Sequence, residues 1–317
     1  MKPFRSARVF AVDPHFTNLL RDGDGLDYLN EMLGRRQIDP EAQQGHGRSG
    51  FVSACPHEFQ PAYRVEDFFL FALRVEFKSV PGAAVKQAAA KRIAEVEKAQ
   101  GYRPGRKQCK EITEDVHDEL LAKAPLVYRD TRAFIDVERG YLVVEGSSAS
   151  RADEMIAMLA RVLDDHEFPI ASIRTKLSPA KAMTQWLIDD EAPANFTIDQ
   201  GAEFKAATGA TAKYKSISLN SDALADHIRN ERACVRLAMT WADRVSFVLG
   251  EDLCIRSVAF LDVLKEKPNP DTAAEDLFDS EMLLFATEFC KMFREVIYSI
   301  DETADFLSDE DDAAAGL

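Results

Sequence analysis

Two stretches of the first eighty residues alternate apolar and polar positions as strands do. One is "SARVFAV"; the other is "DFFLFALRVEFKSV" (67–80), where Arg74, Glu76 and Lys78 occupy every second position and mark an exposed face. Between them "RRQIDPEAQQGHGRSGF" has no period and predicts a loop with room for a short turn of helix. It holds Gly45, Gly47 and Gly50 but no Gly-Lys-Ser/Thr, so it is not a phosphate loop. Pro81-Gly82 ends the second strand, and the period changes. Val85, Ala89, Ile93 and Val96 recur at helical spacing and predict a helix over 83–99, with Lys91, Glu95 and Lys98 on the opposite face. "GYRPGRKQCK" then reads as a loop or hinge, and a second helix, about 111–122, opens on the acids of "EITEDVHDEL".

Farther along, "TRAFIDVERGYLVVEG" predicts a hairpin about Glu-Arg-Gly, followed by an amphipathic helix in "SASRADEMIAMLARVL" that Ser148 or Ser150 is placed to cap. "SPAKAMTQWLID" predicts a helix and "GAEFKAATGATAKYKSISLNS" strands with turns. "SDALADHIRNERACVRLAMTW" is expected to begin a helix capped by Ser221. A second hairpin is expected around Gly-Glu-Asp in "DRVSFVLGEDLCIRSVAF", followed by helical "LDVLKE", which echoes the first hairpin-helix unit. From 275 to 300 the chain predicts a helix with Leu277, Met282, Leu284, Phe285, Phe289, Phe293 and Ile297 as its apolar surface. The class is α+β.

Charge changes this picture by its distribution. The 317 residues carry a formal net charge of -15, but residues 251–317 hold 18 Asp or Glu against 5 Lys or Arg, so the rest is close to neutral. The final "SDEDDAAAGL" repels itself and has nothing to bury, which predicts a disordered acidic tail over 306–317. A partner within a Debye length, about 8 Å in physiological salt, feels only the local potential. That potential is basic over 83–110, where eight Lys or Arg face two Glu. Cations at phosphate spacing are all that DNA binding without base readout requires. The candidates form three groups: Lys86, Lys91, Arg92, Lys98, Arg103, Arg106, Lys107 and Lys110; then Lys205, Lys213 and Lys215 in the acid-free stretch 204–219; then Arg229, Arg232 and Arg236, whose helical spacing predicts one shared face.

Other chemistry finds less support. No apolar run is long enough to span a bilayer and the first residues do not form a signal core, so a cytoplasmic protein without membrane contact is expected. Cys55, Cys109, Cys234, Cys254 and Cys290 are far apart and odd in number, which predicts reduced thiols, mostly in core positions, rather than disulfides or zinc ligands. Asp115, His117, Asp118 and Glu119, or Asp164, Asp165, His166 and Glu167, are the acid-and-histidine clusters a two-metal nuclease would use. The first lies where helix geometry sends adjacent side chains apart, and the second follows a helix end. His15, His46, His57 and His227 lack ligand spacing, and no nucleophile elbow is present. Neither an enzyme nor a cofactor is expected; the competing class is a protein-interaction regulator acting through the acidic C-terminal region.

"PGAAVKQAAAKRIAEVE", "AFIDVERGYLVVEGSSASRADEMIAMLARVL", "MTQWL" and "SDALADHIRNERACVRLAMTWADRVSFVL" together resemble the recombination-associated RdgC family over nearly the whole chain. The resemblance implies a nucleoid-associated protein that binds single- and double-stranded DNA with little sequence preference and restrains the RecA recombinase in recombination or replication restart. It also implies an elongated, curved subunit and a ring-shaped homodimer around a basic hole. The corresponding regions would be a central sheet-and-helix body (1–82 with 125–180 and 240–270), a helical projection (83–124), a second projecting tip (181–239), a C-terminal helix (271–305) and the tail. One dimer contact falls on Pro125 and Leu126, where the family pattern has an aromatic residue. The other falls on Lys215-Ser216, in place of a basic-Gln pair.

Overall fold

The computed structural model describes residues 3–38, 48–163, 169–215, 232–261 and 273–301. In chain order these form β1 (Ala7–Val12), α1 (Pro14–Arg21), α2 (Gly25–Gly34), β2 (Ser49–Val52), β3 (Ala62–Val65), β4 (Phe68–Lys78), α3 (Gly82–Gln100) and α4 (Arg106–Lys123). There follow β5 (Leu126–Asp136), β6 (Tyr141–Glu145), α5 (Ala149–Val162), β7 (Ile170–Ser172), α6 (Pro179–Asp189), β8 (Phe196–Lys205) and β9 (Thr211–Lys215). Last come β10 (Ala233–Trp241), β11 (Val245–Gly250), β12 (Ile255–Phe260) and α7 (Ala274–Ile300). The expected α+β class is what the chain adopts, with a large antiparallel sheet. Two compact units divide it: Met1–Arg35 with Val52–Ala72 and Thr131–Leu317, and Arg36–Phe51 with Leu73–Asp130. Strands β4 and β5 each run from one unit into the other.

In the first unit the strands pair in the order β5-β6-β1-β12-β11-β10-β8-β9, with β3 on β4 and β7 on β1. Both expected hairpins are present. In β5–β6, Asp136 Oδ1 accepts from the backbone N–H groups of Glu138 and Arg139, both at 3.0 Å, and fixes the turn. Its other oxygen takes the Arg139 guanidinium at 2.9 Å, so this fully buried carboxylate is paired. Cys234, Leu237, Met239 and Trp241 on β10 are buried at a spacing close to two, with bulges against β8 taking up the irregularity.

Helix α7 supplies the apolar partner of this sheet. Phe285 meets Phe4, Phe134, Phe260 and Phe289 with ring centroids 5.1 to 6.2 Å apart, and Phe293 meets Tyr141 at 5.6 Å. Of the apolar residues expected on this helix, Leu277 is half-buried and Leu284 is 40% exposed, while Phe278 is buried. Polar bonds fix the register: Trp241 Nε1 donates to Glu295 Oε2 at 2.7 Å, and the Tyr63 hydroxyl donates to Asp279 Oδ1 at 2.8 Å. Serine caps divide: Ser178 accepts from the Lys181 N–H at 3.3 Å at the start of α6, whereas Ser148 holds the N-cap position of α5 without a side-chain capping bond.

Three points differ from the sequence reading. Helices α1 and α2 occupy a stretch for which the alternation pattern predicted no element; α1 is one of the shortest helices here, but Asp13 at its N-cap and Pro14 at its first position signal it. Arg236 lies on strand β10, not on a helix, because burial there follows a period near two. Third, α4 begins at Arg106 rather than near 111, so the loop after α3 is only 101–105. The expected stretches around Gly45 and Gly47, the helical "LDVLKE" after Leu261, the Ser221 cap and the acidic tail lie outside the described residues.

In the second unit, α3 and α4 form a hairpin on the ends of β4 and β5. Val85 and Ala89 are buried as expected, Ile93 and Val96 are half-buried, and Val116 is the buried residue of α4. Lys78 Nζ donates to the Ala122 carbonyl at 2.8 Å, satisfying an acceptor near the C-terminal end of α4. Arg74 holds Asp130 through two hydrogen bonds of 2.7 Å while its guanidinium covers the Tyr128 ring at 4.0 Å.

Candidate nucleic-acid interface

The hairpin turn between α3 and α4 gathers the strongest candidates. Helix α3 stops at Gly101, whose φ of 79° lies in the left-handed region that glycine enters without steric cost; its N–H donates to the Glu97 carbonyl at 2.9 Å. Pro104 is buried, and its carbonyl accepts the Cys109 thiol at 3.4 Å, which ties the loop to the first turn of α4. Gly105 is the N-cap and carries no side chain to cap the free N–H groups behind it. Lys98, Arg103, Arg106, Lys107 and Lys110 are exposed around this turn, and no acid occurs from 98 to 110. Lys86, Lys91, Lys98, Arg103 and Arg106 make no ion pair among the described residues.

Acids favour the first turn of a helix. The observed turn breaks that rule. It has no acid, and it places Arg106 and Lys107 at the positive end of the helix dipole, at a cost of ~0.3–1 kcal/mol each at low ionic strength. A polyanion at the turn offsets that cost.

Ion pairs at the margins are weak competitors. Lys107 sits 3.9 Å from Glu111 with its side chain 92% exposed, and Lys110 lies 3.3 Å from Glu114. Both have the cation N-terminal to the acid, the poorer orientation on a helix, and exposed pairs of this kind contribute ~0.3–0.5 kcal/mol. Arg92 meets Glu119 at 3.5 Å farther from the turn.

The other two groups are arranged differently. The stretch 204–219 is acid-free only along the chain. Lys213 lies 3.4 Å from Glu203 across the β8–β9 ladder, and Lys205 lies 3.9 Å from Glu251. Arg236 donates to the same Glu203 at 3.0 Å. Arg232 precedes β10 and is engaged by a further interaction. Arg229 and Ser216 lie outside the described residues, as does the side chain of Lys215. At the other expected contact Pro125 is exposed and Leu126, which opens β5, is half-buried.

For metal chemistry, Asp115, His117, Asp118 and Glu119 are exposed on α4, with Glu119 turned to Arg92 and His117 Nδ1 3.2 Å from Asp118. No group of three or more potential ligands converges among the described residues, and Asp164 to Glu167 lie outside them. All five cysteines are free. Burial pushes the Cys234 thiol up to about 12 and raises Cys290, with Asp136 beside it adding to the rise. Among the described residues no helix is long and apolar enough to cross a membrane.

One residue of the turn went unread in the sequence: Tyr102, 65% exposed among the cations. An aromatic flanked by Gly, Arg and Pro in a basic loop was the available signal.

A family model described as "Putative exonuclease, RdgC" matches residues 4–303. Similar proteins include the "Recombination-associated protein RdgC" of Bordetella parapertussis, 46% identical over 242 residues, 75% of this chain and 80% of that protein. The protein of the same name from Herminiimonas arsenicoxydans is 41% identical over 244 residues (75% and 80%), and that from Paraburkholderia phymatum is 38% identical over 266 (77% and 87%).

Proposed function

Because the chain belongs to the RdgC family of recombination-associated proteins, we propose that it binds DNA without sequence preference through the α3–α4 turn. In this reading it acts as a homodimer on the nucleoid and limits RecA-dependent recombination by occupying the DNA. The observation that carries the reading is the acid-free cluster of Lys98, Arg103, Arg106, Lys107 and Lys110 on a turn whose backbone N–H groups have no side-chain cap. Nothing in that cluster is shaped to read base edges; cations on flexible stems contact phosphates of any sequence. Two subunits double the number of contacts, and a dimer closed through Pro125 and Leu126 at one contact and Lys215 and Ser216 at the other would hold DNA with weak individual bonds.

The test is the salt dependence of affinity for an arbitrary duplex, measured by fluorescence anisotropy. Log affinity should fall linearly with log salt, with a slope of about 0.9 per phosphate contact and several contacts in all. A flat line overturns the proposal. Encirclement predicts slower dissociation from a closed circular duplex than from a short linear one at matched salt, and equal rates refute it. The exonuclease of the family description is a separate reading; shortening of an end-labelled duplex incubated with Mg²⁺ or Mn²⁺ would show it.

A further inference from the structure

The exposed ring of Tyr102 has no role in the turn that presents it. Helix α3 is closed by a single bond from the Gly101 N–H to the Glu97 carbonyl, a cap that does not call on the next residue for an apolar contact. Pro104, not Tyr102, is the buried member of the loop. The ring is 65% exposed, its hydroxyl makes no hydrogen bond among the described residues, and no ring contact or cation-π contact there engages it. What surrounds it in sequence is cationic: Lys98, Arg103, Arg106 and Lys107.

An aromatic platform beside phosphate-binding cations matches one ligand chemistry. In a duplex the faces of the bases are occupied by their neighbours, whereas an unpaired base offers a free π-face that any aromatic side chain can stack against. We propose that Tyr102 is a stacking platform for an unpaired base and gives the turn a preference for single-stranded over duplex DNA. This rests on the DNA-binding reading above. The cations supply affinity for either form, and the ring adds a term only the single strand collects. Its position, one residue past a capped helix end and two before a buried proline, keeps the ordering cost on binding low.

Full-length protein is titrated with a roughly 20-nucleotide oligo(dT) and with a duplex of the same length, comparing wild type, Tyr102→Ala and Tyr102→Phe. The alanine variant should lose at least about fivefold in affinity for oligo(dT), change by less than about twofold on the duplex, and keep the salt slope of both; the phenylalanine variant should bind as wild type. Tyr102→Trp gives a direct readout, since its fluorescence should be quenched by oligo(dT) and not by the duplex. Equal losses on both ligands, no loss on oligo(dT), or quenching by both overturns the assignment while leaving DNA binding in place. Failure of wild-type protein to bind either ligand overturns the DNA-binding reading itself, and the assignment with it.

Discussion

Neutralising the turn separates a binding site from a structural one because the two roles move stability and affinity in opposite directions. Consider Arg103→Gln, Arg106→Gln and Lys107→Gln together. All three side chains are exposed, and the one ion pair lost is that of Lys107 with Glu111 at 3.9 Å, worth ~0.3–0.5 kcal/mol. Against that loss, removing Arg106 and Lys107 from the first turn of α4 relieves ~0.3–1 kcal/mol each at low ionic strength. The folded protein should therefore be as stable as wild type or more so, by about 1 kcal/mol. Binding should move the other way. If each of the three contacts a phosphate, the slope of log affinity against log salt falls by about 2.7 per subunit engaged. The assay is anisotropy on one duplex across a series of salt concentrations, with thermal unfolding recorded in the same buffers. An unchanged slope refutes the placement of DNA at this turn; a lower melting temperature refutes the account of its electrostatics. A matched control neutralises Lys205 and Lys213, which face Glu251 and Glu203, and should change the slope much less.

Three further outcomes are expected. Phe285→Ala should destabilise the protein by ~3–5 kcal/mol in urea unfolding, since its 1% exposed ring meets four other aromatic rings; a loss below about 1 kcal/mol would contradict that core. Gly101→Ala should cost ~1–2 kcal/mol although nothing lies within 4 Å of the added methyl, because the cost is the φ of 79° itself; a neutral result would mean the turn has another conformation. Burial alone would raise the Asp252 carboxyl, but hydrogen bonds and charge from Arg256 and Arg8 outweigh it and hold it at about 2. With the folded value below the unfolded one, its stabilisation is present above about pH 4 and fades as pH falls toward 2. The stability gap between wild type and Asp252→Asn, about 1 kcal/mol for a carboxylate 37% exposed, should close over that window; a gap constant down to pH 2 would refute the pairing.

Which parts of this architecture can be read along the chain depends on how far their interactions reach. The α3 stripe of Val85, Ala89, Ile93 and Val96 and the hairpin around Glu138-Arg139-Gly140 depend on neighbours within a few residues, and both form as their periods predict. Arg229, Arg232 and Arg236 fit a helical spacing, yet Arg236 belongs to β10, where pairing with β8 and β11 overrides a local preference. The start of α4 was obscured for a local reason: Gly101, Pro104 and Gly105 read as a loop running to Lys110, whereas the break ends at Gly105, which is the N-cap.

The same distinction of range explains why the three basic groups differ in space. In a helical hairpin, side chains close in sequence stay close, and each residue advances the helix by about 1.5 Å. The nearest acids on α4, Glu111 and Glu114, meet Lys107 and Lys110 at 3.9 and 3.3 Å as exposed pairs, while Asp115, Asp118 and Glu119 are more than about 13 Å along the helix from Arg106. Lys98, Arg103 and Arg106 therefore stay unpaired among the described residues, and Lys107 and Lys110 are held only by weak exposed pairs, so much of the charge that the acid-free run implies is left at the turn. In a sheet, register chooses the neighbours: Glu203 and Lys213, ten residues apart, become cross-strand partners, and Arg236 reaches the same carboxylate from the strand on the other side. A run of lysines in strand sequence is therefore poor ground for a basic surface until the register is known. A run at a helical turn is better ground, and the test of neutralising Arg103, Arg106 and Lys107 is aimed there for that reason.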